Sequence, residues 1–405
     1  MIRKTLTILS LSLVVISACK KINSSPDTGK DLVLTTTEQQ KVAADNAFSL
    51  KLFKATLSGN GNNNLFLSPL SVSMAIGMTS NGAAGQTLHD IRNTMDFNNF
   101  TEDQVNSYYH KMITELPQLD SKTTLKFANS IWYADGFTPM AAFLNTSEAN
   151  YSARIESVDF KNAGTKDVIN NWVSNATDGK IATIIDKSTD GAIMYLINAI
   201  YFKGSWANKF DAAKTQKSVF YLPSGGTVQA DFMNQSYVPL NTNIVNDARV
   251  LELPYNNKKF SMVIVTPTSQ SVQEYAAGLD SAKWQSLMTG LSGSYVDVSM
   301  PKFKFSYDKE LKDVLSTLGM ANAFSDLADF TRISTGGLAI SEVKHKAFIE
   351  VDEEGTTAAA ATSVTFVATA VLPYNFKLDH PFIFAIREMK TGLVLFTGVV
   401  NDPTK

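Results

Sequence analysis

One stretch near the C-terminal end of the chain, EEGTTAAAATSVTFVATAVLP from Glu353 to Pro373, constrains the fold more than any other. It has no lysine or arginine and is too apolar and β-branched for a solvated linker. Its leading end is so small that it could enter a gap between existing strands. Read with a period of two, one face carries Thr356, Ala358, Ala360, Thr362, Val364 and Phe366. A helix, favoured by the four consecutive alanines, and an ordinary edge strand are the alternatives.

Length and composition set broad limits on the rest. The chain has 405 residues, enough to bury a large core as one big domain or two ordinary ones. The 36 lysines and arginines are balanced by 38 acidic residues, so the chain has no excess of positive charge. We therefore expect no nucleic acid as a partner. A single cysteine excludes an intrachain disulfide.

The first 19 residues have the pattern of an export signal. Arg3 and Lys4 precede an apolar run from Leu6 to Ile16, and small residues then lead into Cys19. This resembles the signal of bacterial lipoproteins, in which the cysteine is lipidated; a plain signal peptide and a short membrane anchor are the alternatives. We therefore expect a flexible tether over residues 20–36 and an exported lipoprotein at the outer membrane or cell surface.

Residues 37–405 are predicted to form one α+β domain. Helical patterns dominate up to about residue 120, strand-like runs such as Lys126 to Tyr133 follow, and the last third reads mostly as strands. In the second helix Ser68 is placed to cap and Pro69 to occupy the first turn of a nearly all-apolar segment. The first helix is predicted to bury Val42, Ala43, Ala47, Leu50, Phe53 and Leu57.

A search for catalytic chemistry finds little. The four histidines, at positions 89, 110, 345 and 380, belong to no H-E-x-x-H motif, and the sequence has no P-loop, paired cysteines or G-x-S-x-G elbow. His345 could serve as a base for a serine, but a buried histidine bonded to hydroxyl groups is the simpler interpretation. We predict no catalytic residue, no metal and no cofactor.

Several motifs together identify a family. They are NLFLSPLSVSMAIGM from Asn64, LKFANSIW from Leu125, NAIYFKGSW from Asn198, LELPY from Leu251 and DHPFIF from Asp379. Their content and order resemble the serpins over about residues 38 to 405. The resemblance implies a monomer with the serpin fold: a large central β-sheet, two further sheets, eight to nine helices and an exposed reactive-centre loop.

The same resemblance implies roles for residues around the central sheet. Ser68, Ser71, Asn198 and His345 would form a polar cluster under the middle of the sheet, where the strands must part. Trp206 would lie beneath the top of the sheet, in the region called the breach. Glu353 would be held by a lysine or arginine that the sequence does not identify.

The segment called the hinge has different sequences in inhibitory and non-inhibitory serpins. Inhibitory members have a glycine, then threonine or serine, then a run of small residues. Here the hinge comprises Glu353, Gly355, Thr356, Thr357, Ala358, Ala359, Ala360 and Ala361. The resemblance thus implies a suicide-substrate inhibitor that covalently traps a target serine endopeptidase. A non-inhibitory serpin-fold substrate or binding lipoprotein is the alternative.

The position of the bond that the target peptidase cleaves is predicted by counting residues along the loop. The family's usual count from Glu353 places cleavage after Thr369, whereas counting back from Pro381 places it after Ala370; Val367, Ala368 and Val371 are further alternatives. Because these residues are small or β-branched, elastase-like serine endopeptidases are the expected targets. Phe366 would attract chymotrypsin-like or papain-like enzymes, but cleavage there shortens the arm that inserts.

Overall fold

The computed structural model describes residues 29–186, 190–356 and 372–405, which fold into an α+β domain. Nine α-helices occur in these ranges, together with three short 3₁₀ turns and one π turn. The helices are α1 (Thr36–Ser58), α2 (Pro69–Ser80), α3 (Gly85–Thr94), α4 (Glu102–Glu115), α5 (Ala141–Tyr151), α6 (Thr165–Ala176), α7 (Val272–Ala277), α8 (Ser281–Thr289) and α9 (Lys312–Leu315).

Fifteen strands complete the described part of the chain. They are β1 (Leu65–Leu67), β2 (Thr124–Ala134), β3 (Arg154–Val158), β4 (Met194–Ser205), β5 (Gln216–Tyr221), β6 (Thr227–Val245), β7 (Ala248–Pro254), β8 (Phe260–Pro267), β9 (Ser292–Pro301), β10 (Phe303–Glu310), β11 (Lys344–Val351), β12 (Gly355–Thr356), β13 (Tyr374–Lys377), β14 (Phe382–Glu388) and β15 (Val394–Val400).

Nine strands belong to one continuous hydrogen-bonded network. Its order is β1-β15-β14-β8-β7-β6-β9-β13, and β5 pairs with the free half of the long strand β6. β14 and β15 are buried along their whole length, as expected for central strands that pack on both faces. This network is the scaffold on which the rest of the domain packs.

The predicted central sheet is present in two separate parts. One part has the order β12-β4-β2-β3, and the other is the antiparallel pair β10-β11. Among the described residues no hydrogen-bonded ladder joins β4 to β11. We call the space between these two strands the sheet gap.

Helix α2 lies beneath this divided sheet and is almost entirely buried. Its start is as predicted: the Ser68 side chain accepts a hydrogen bond from the Ser71 N–H, and Pro69 occupies the first turn. The four-stranded part of the sheet has apolar residues on both faces. Ile200 and Phe202 of β4 enter the main core, whereas Ile197 packs in a second cluster with α6.

The predicted flexible tether ends earlier than expected. Residues 29–35 pack on the body instead of continuing the tether to residue 36, and the Leu32 side chain is only 1% exposed. Asp31 lies 2.7 Å from Lys259 and 3.1 Å from Lys390. The composition suggested a solvated linker, but Leu34 also packs against the core and Lys111 donates to the Val33 carbonyl oxygen at 2.6 Å, so the segment is docked by several contacts.

Candidate functional site

The hinge begins inside the sheet gap. After β11 the chain makes a tight turn, closed by hydrogen bonds in both directions between Asp352 and Gly355. Gly355 and Thr356 then run antiparallel to β4, paired with Ser205 and Gly204. The first two residues of a strand therefore already occupy one end of the gap.

Gly355 can be only glycine in this arrangement. Its φ of 141° lies in a region that other L-residues rarely adopt. A Cβ atom at this position would come within 2.2 Å of the Gly204 carbonyl oxygen. The glycine that the sequence analysis placed at the start of the hinge is thus required for close approach to β4.

Thr356 follows with its side chain turned into the protein. It is 4% exposed, and its hydroxyl lies 3.0 Å from the Tyr255 hydroxyl. The Tyr255 ring stacks on Trp206 at a centroid distance of 4.7 Å and an interplanar angle of 10°. Trp206 in turn donates its indole N–H to the Asp352 carbonyl oxygen at 3.0 Å. The tryptophan predicted for the breach therefore contacts the turn that starts the hinge.

Two lysines hold the acidic residues of this turn. Glu353 accepts hydrogen bonds from Lys302 Nζ at 2.8 Å and from the Thr215 hydroxyl at 2.7 Å. Burial alone would raise the pKa of the Glu353 carboxyl, but these hydrogen bonds outweigh it and leave the pKa below its ordinary value. The neighbouring Glu354 lies 2.6 Å from Lys209. Lys302 is the cation that the sequence analysis expected but did not identify.

The four residues predicted to form a polar cluster lie together beneath the gap. The Ser68 N–H donates to His345 Nε2 at 3.1 Å, and the Ser68 hydroxyl donates to the Leu395 carbonyl oxygen at 2.9 Å. The Ser71 hydroxyl donates to the side-chain carbonyl of Asn198. The cluster thus connects α2 with both strands that border the gap, β4 and β11.

His345 is neutral in this environment. It is 3% exposed, and burial lowers its pKa to about 4, although the negative charge of Asp308 opposes the shift. With Nε2 accepting from Ser68, the proton of the neutral ring is on Nδ1. The contacts are those of a buried histidine bonded to its neighbours, and no hydroxyl group donates to the ring among the described residues.

A cavity of about 290 Å³ lies at the end of the gap away from Thr356. It is bordered by α2, by the first residues of β4 and by the segment that leads into β11. Aliphatic side chains such as Val72, Ile76, Leu196 and Ile340 dominate the lining, with Asn198 at one side. The space beneath the gap is therefore not filled by the residues that surround it.

Most of the predicted hinge and all of the predicted reactive bonds lie outside the described residues. These positions are Thr357, Ala358, Ala359, Ala360, Ala361, Thr362, Val364, Phe366, Val367, Ala368, Thr369, Ala370 and Val371, and Cys19 also lies outside. The chain is described again from Leu372, which is 91% exposed, and then forms β13.

Comparison with known proteins decides the family. The family model described as serpin (serine protease inhibitor) matches residues 43–403. The chain is a serpin. It is 33% identical to the leukocyte elastase inhibitor of Sus scrofa, covering 90% of this chain and all of that protein.

Solved structures of similar proteins have the same fold. The native state of tengpin, a thermophilic serpin, superposes with a TM-score of 0.83 at 33% identity, covering 92% of this chain and 96% of tengpin. Human thyroxine-binding globulin in complex with thyroxine gives a TM-score of 0.84 at 29% identity, covering 91% of this chain and all of the globulin. The predicted family and the predicted α+β serpin fold are therefore confirmed.

Several residues of this serpin's site were not predicted from the sequence. Tyr255 belongs to the quoted LELPY motif, which gave no indication of its contact with the hinge. Asn129, from the LKFANSIW motif, receives a hydrogen bond from the Asn198 amide and extends the cluster to β2. In the described part of the chain no three His, Cys, Asp or Glu residues are grouped to hold a metal ion.

Proposed function

We propose that this serpin is a suicide-substrate inhibitor of serine endopeptidases that traps its target by inserting the cleaved loop into the sheet gap. One observation carries the proposal: Gly355 and Thr356 are already paired with β4 in the space between β4 and β11. A strand that has begun in this gap is able to lengthen along β4 once its far end is released.

The covalent chemistry belongs to the peptidase. Its serine oxygen attacks a carbonyl carbon in the loop, the peptide C–N bond breaks, and the new amine leaves with the segment that continues into β13. The hinge side of the loop remains bound to the peptidase as an ester. Insertion then carries the peptidase away from its docking position and distorts its active site before water hydrolyses the ester. No residue of the serpin acts as a catalyst.

Insertion adds backbone hydrogen bonds and buries apolar side chains. About a dozen new strand hydrogen bonds contribute roughly 1 kcal/mol each. Burial of Val364 and Phe366 adds roughly 1.5 to 3 kcal/mol for each side chain. The sum exceeds about 10 kcal/mol before ordering costs, and the cavity at the far end of the gap offers space for the larger side chains.

The composition of the loop selects the target class. The residues from Val367 to Val371 are small or β-branched, and we propose elastase-like serine endopeptidases as targets, with cleavage after Thr369 or Ala370. Similarity to the leukocyte elastase inhibitor supports this class. Papain-like cysteine endopeptidases that cut near Phe366 are a second class of target, and we expect them to be trapped less well because cleavage there shortens the arm that inserts.

Incubation with an elastase-like peptidase followed by denaturing electrophoresis tests the proposal. A complex larger than either protein, stable to boiling, is expected, and mass spectrometry of the released C-terminal fragment identifies the cleaved bond. Quantitative cleavage of the loop without such a complex would contradict inhibition. It would favour the second candidate, a serpin that binds or is merely cut, for which thyroxine-binding globulin in complex with thyroxine is a structural precedent.

We also propose that lipid on Cys19 anchors the protein to the outer membrane or the cell surface. The sequence pattern of the first 19 residues supports this location. Cys19→Ala is expected to abolish labelling by a radioactive fatty acid and to move the protein into the soluble fraction. Unchanged membrane association of Cys19→Ala would contradict lipidation at this residue.

A further inference from the structure

A second cavity, of about 810 Å³, lies outside the sheet gap. One wall is formed by the end of β13 and the residues that follow it, and another by residues 266–274, which lead from β8 into α7. Arg249 of β7 and Tyr221 of β5 also border it. We call this space the β13 groove. Its volume is within the range of cavities that bind small molecules.

The strand β13 presents an unpaired edge to this groove. It is the last strand of the nine-stranded network and, in the described part of the chain, pairs only with β9. The Leu378 N–H donates to the Ser299 carbonyl oxygen of β9 at 2.8 Å. Since peptide groups alternate in direction along a strand, those of Asn375 and Lys377 point to the other, free edge. Arg249 agrees with this direction, because it donates to the Asn375 carbonyl oxygen at 2.6 Å.

The Arg249 side chain has hydrogen-bond donors left for a ligand. Its guanidinium lies over the Phe376 ring, 4.6 Å from the centroid, and this contact holds the group in place. The bond to Asn375 is its only hydrogen bond among the described residues, and no described carboxylate lies within 4 Å of it. A guanidinium carries five N–H donors in a planar fork that matches a carboxylate. Most of these donors are therefore unused.

The acidic side chains at the groove already have partners within the protein. Glu274 accepts hydrogen bonds from the N–H and the hydroxyl of Ser271 at the start of α7. Asp379 lies 3.1 Å from Lys377 Nζ and 2.7 Å from the His380 ring. Neither carboxylate neutralises the guanidinium over the Phe376 ring, so its charge remains for an anionic ligand.

The rest of the lining suits an apolar body. The side chains of Phe376, Leu378 and Val272 are at most 4% exposed and form part of the walls. Beyond the end of β13 the Tyr221 ring stacks on His380, with a centroid distance of 4.7 Å and an interplanar angle of 17°. Phe376 and His380 are four residues apart, which is at most about 13 Å along the chain. A ligand that contacts both ends of the groove therefore has an extended shape.

We propose that the β13 groove binds an amphipathic carboxylate of the fatty-acid class. The carboxylate accepts hydrogen bonds from the unused donors of Arg249 and from the Lys377 N–H on the free edge of β13. The apolar chain lies along Phe376 and Leu378 toward the Tyr221 ring. Such a ligand connects β13 to residues 266–274 and so stabilises an edge strand that is otherwise held on one side only.

Titration calorimetry of the purified protein with three probes tests this assignment. Decanoate has both the charge and the apolar chain, decan-1-ol lacks the charge, and acetate lacks the chain. We expect one decanoate to bind per protein molecule. Decan-1-ol and acetate are each expected to bind at least about tenfold more weakly, because each loses one half of the contacts.

Three variants locate the site. Arg249→Met removes the charge while an unbranched side chain still covers the Phe376 ring, and it is expected to weaken decanoate binding at least about tenfold. Ser269→Trp places a large ring in the groove at an exposed position without changing Arg249, and it is expected to weaken binding as well. Arg154→Met is the matched control, because Arg154 also lies over an aromatic ring, 5.3 Å from Trp132, but is not part of the groove. Its affinity for decanoate is expected to equal that of the wild type.

The results decide the proposal in either direction. No measurable binding of decanoate by the wild type, unchanged affinity in both Arg249→Met and Ser269→Trp, or an equal loss in Arg154→Met would overturn the site. Equal affinities for decanoate and decan-1-ol would overturn recognition of the carboxylate. The measured quantity is binding and not trapping of a peptidase, so this inference and the proposed function are tested independently of each other.

Discussion

The hydroxyl groups of Thr356 and Tyr255 lie 3.0 Å apart in the buried end of the sheet gap. Tyr255 is fully buried against Trp206, so Thr356 extends the hinge into a site whose walls are already rigid. The start of the insertable segment is therefore fixed before any peptidase arrives. In the proposed mechanism, cleavage has only to release the other end of the loop.

Thr356→Arg is expected to convert the inhibitor into a substrate. A guanidinium at this 4% exposed position would lose its hydration without a carboxylate to pair with, at a cost of about 3 kcal/mol or more. Insertion would then be slower than hydrolysis of the ester. The yield of covalent complex relative to cleaved serpin, measured by densitometry, reports the change. Leu327→Arg, at a 79% exposed position outside the hinge and the loop, is the matched control and is expected to trap normally.

Removing the cation that holds Glu353 is expected to loosen the hinge by a modest amount. Lys302→Met should lower the stability of the uncleaved protein by about 1 kcal/mol, because the pair is only partly buried. The pKa of Glu353 is lowered in the folded protein, so this contribution is present above its ordinary pKa near 4.5 and is lost as pH falls below that value. Melting temperatures at pH 7 and pH 3.5 test both points. Lys217→Met, which breaks the more exposed pair with Asp231, is expected to have a smaller effect.

His345 is expected to make the protein sensitive to mild acid. Its folded-state pKa of about 4 lies below the ordinary 6.5, so the unfolded chain binds the proton first as pH falls. The contribution of the neutral ring is fully present above pH 6.5 and is lost between 6.5 and about 4. We expect His345→Asn to remove on the order of 3 kcal/mol of this acid sensitivity. Melting temperatures across this range give the result, with exposed His380→Asn as the control; parallel curves for His345→Asn and the wild type would refute the prediction.

A single cut between Val367 and Val371 is expected to raise the melting temperature by more than about 10 °C. In the proposed mechanism the cut permits the gap to fill with a complete strand, which adds hydrogen bonds and buried apolar area to the folded protein. Calorimetry before and after limited elastase digestion measures the shift. A cut protein that melts at or below the temperature of the uncut one would exclude insertion as the source of the driving force.

The parts of the site that could be predicted are those that depend on short stretches of sequence. Ser68 and Pro69 start a helix by general capping rules, and the ordered motifs then place Asn198 and His345 around it. Lys302 could not be identified, because it is 51 residues from Glu353 in the chain and the two meet only when β10 pairs with β11, which places Phe303 opposite Val351. The sequence alone gives no indication that two residues so far apart in the chain are in contact.

The buried face of α1 shows a second limit. The structure buries Lys41 and Asp45, whereas Ala43, which was predicted to be buried, is exposed, and Ala47 and Leu50 are only partly buried. Lys41 lies 2.6 Å from Asp45, and both bond to the Tyr109 hydroxyl at 3.0 Å. Apolar periodicity misplaced this face because a charged pair that is satisfied inside the core looks like surface in the sequence.

The docking of Leu32 sets a limit on where a lipid-anchored molecule could act. Leu32 is thirteen positions after Cys19, and a fully extended chain spans at most about 3.5 Å for each residue. The docked end of the folded body would then remain within about 45 Å of the membrane. Such an inhibitor would guard the cell's own surface and would leave distant peptidases in the surrounding fluid untouched.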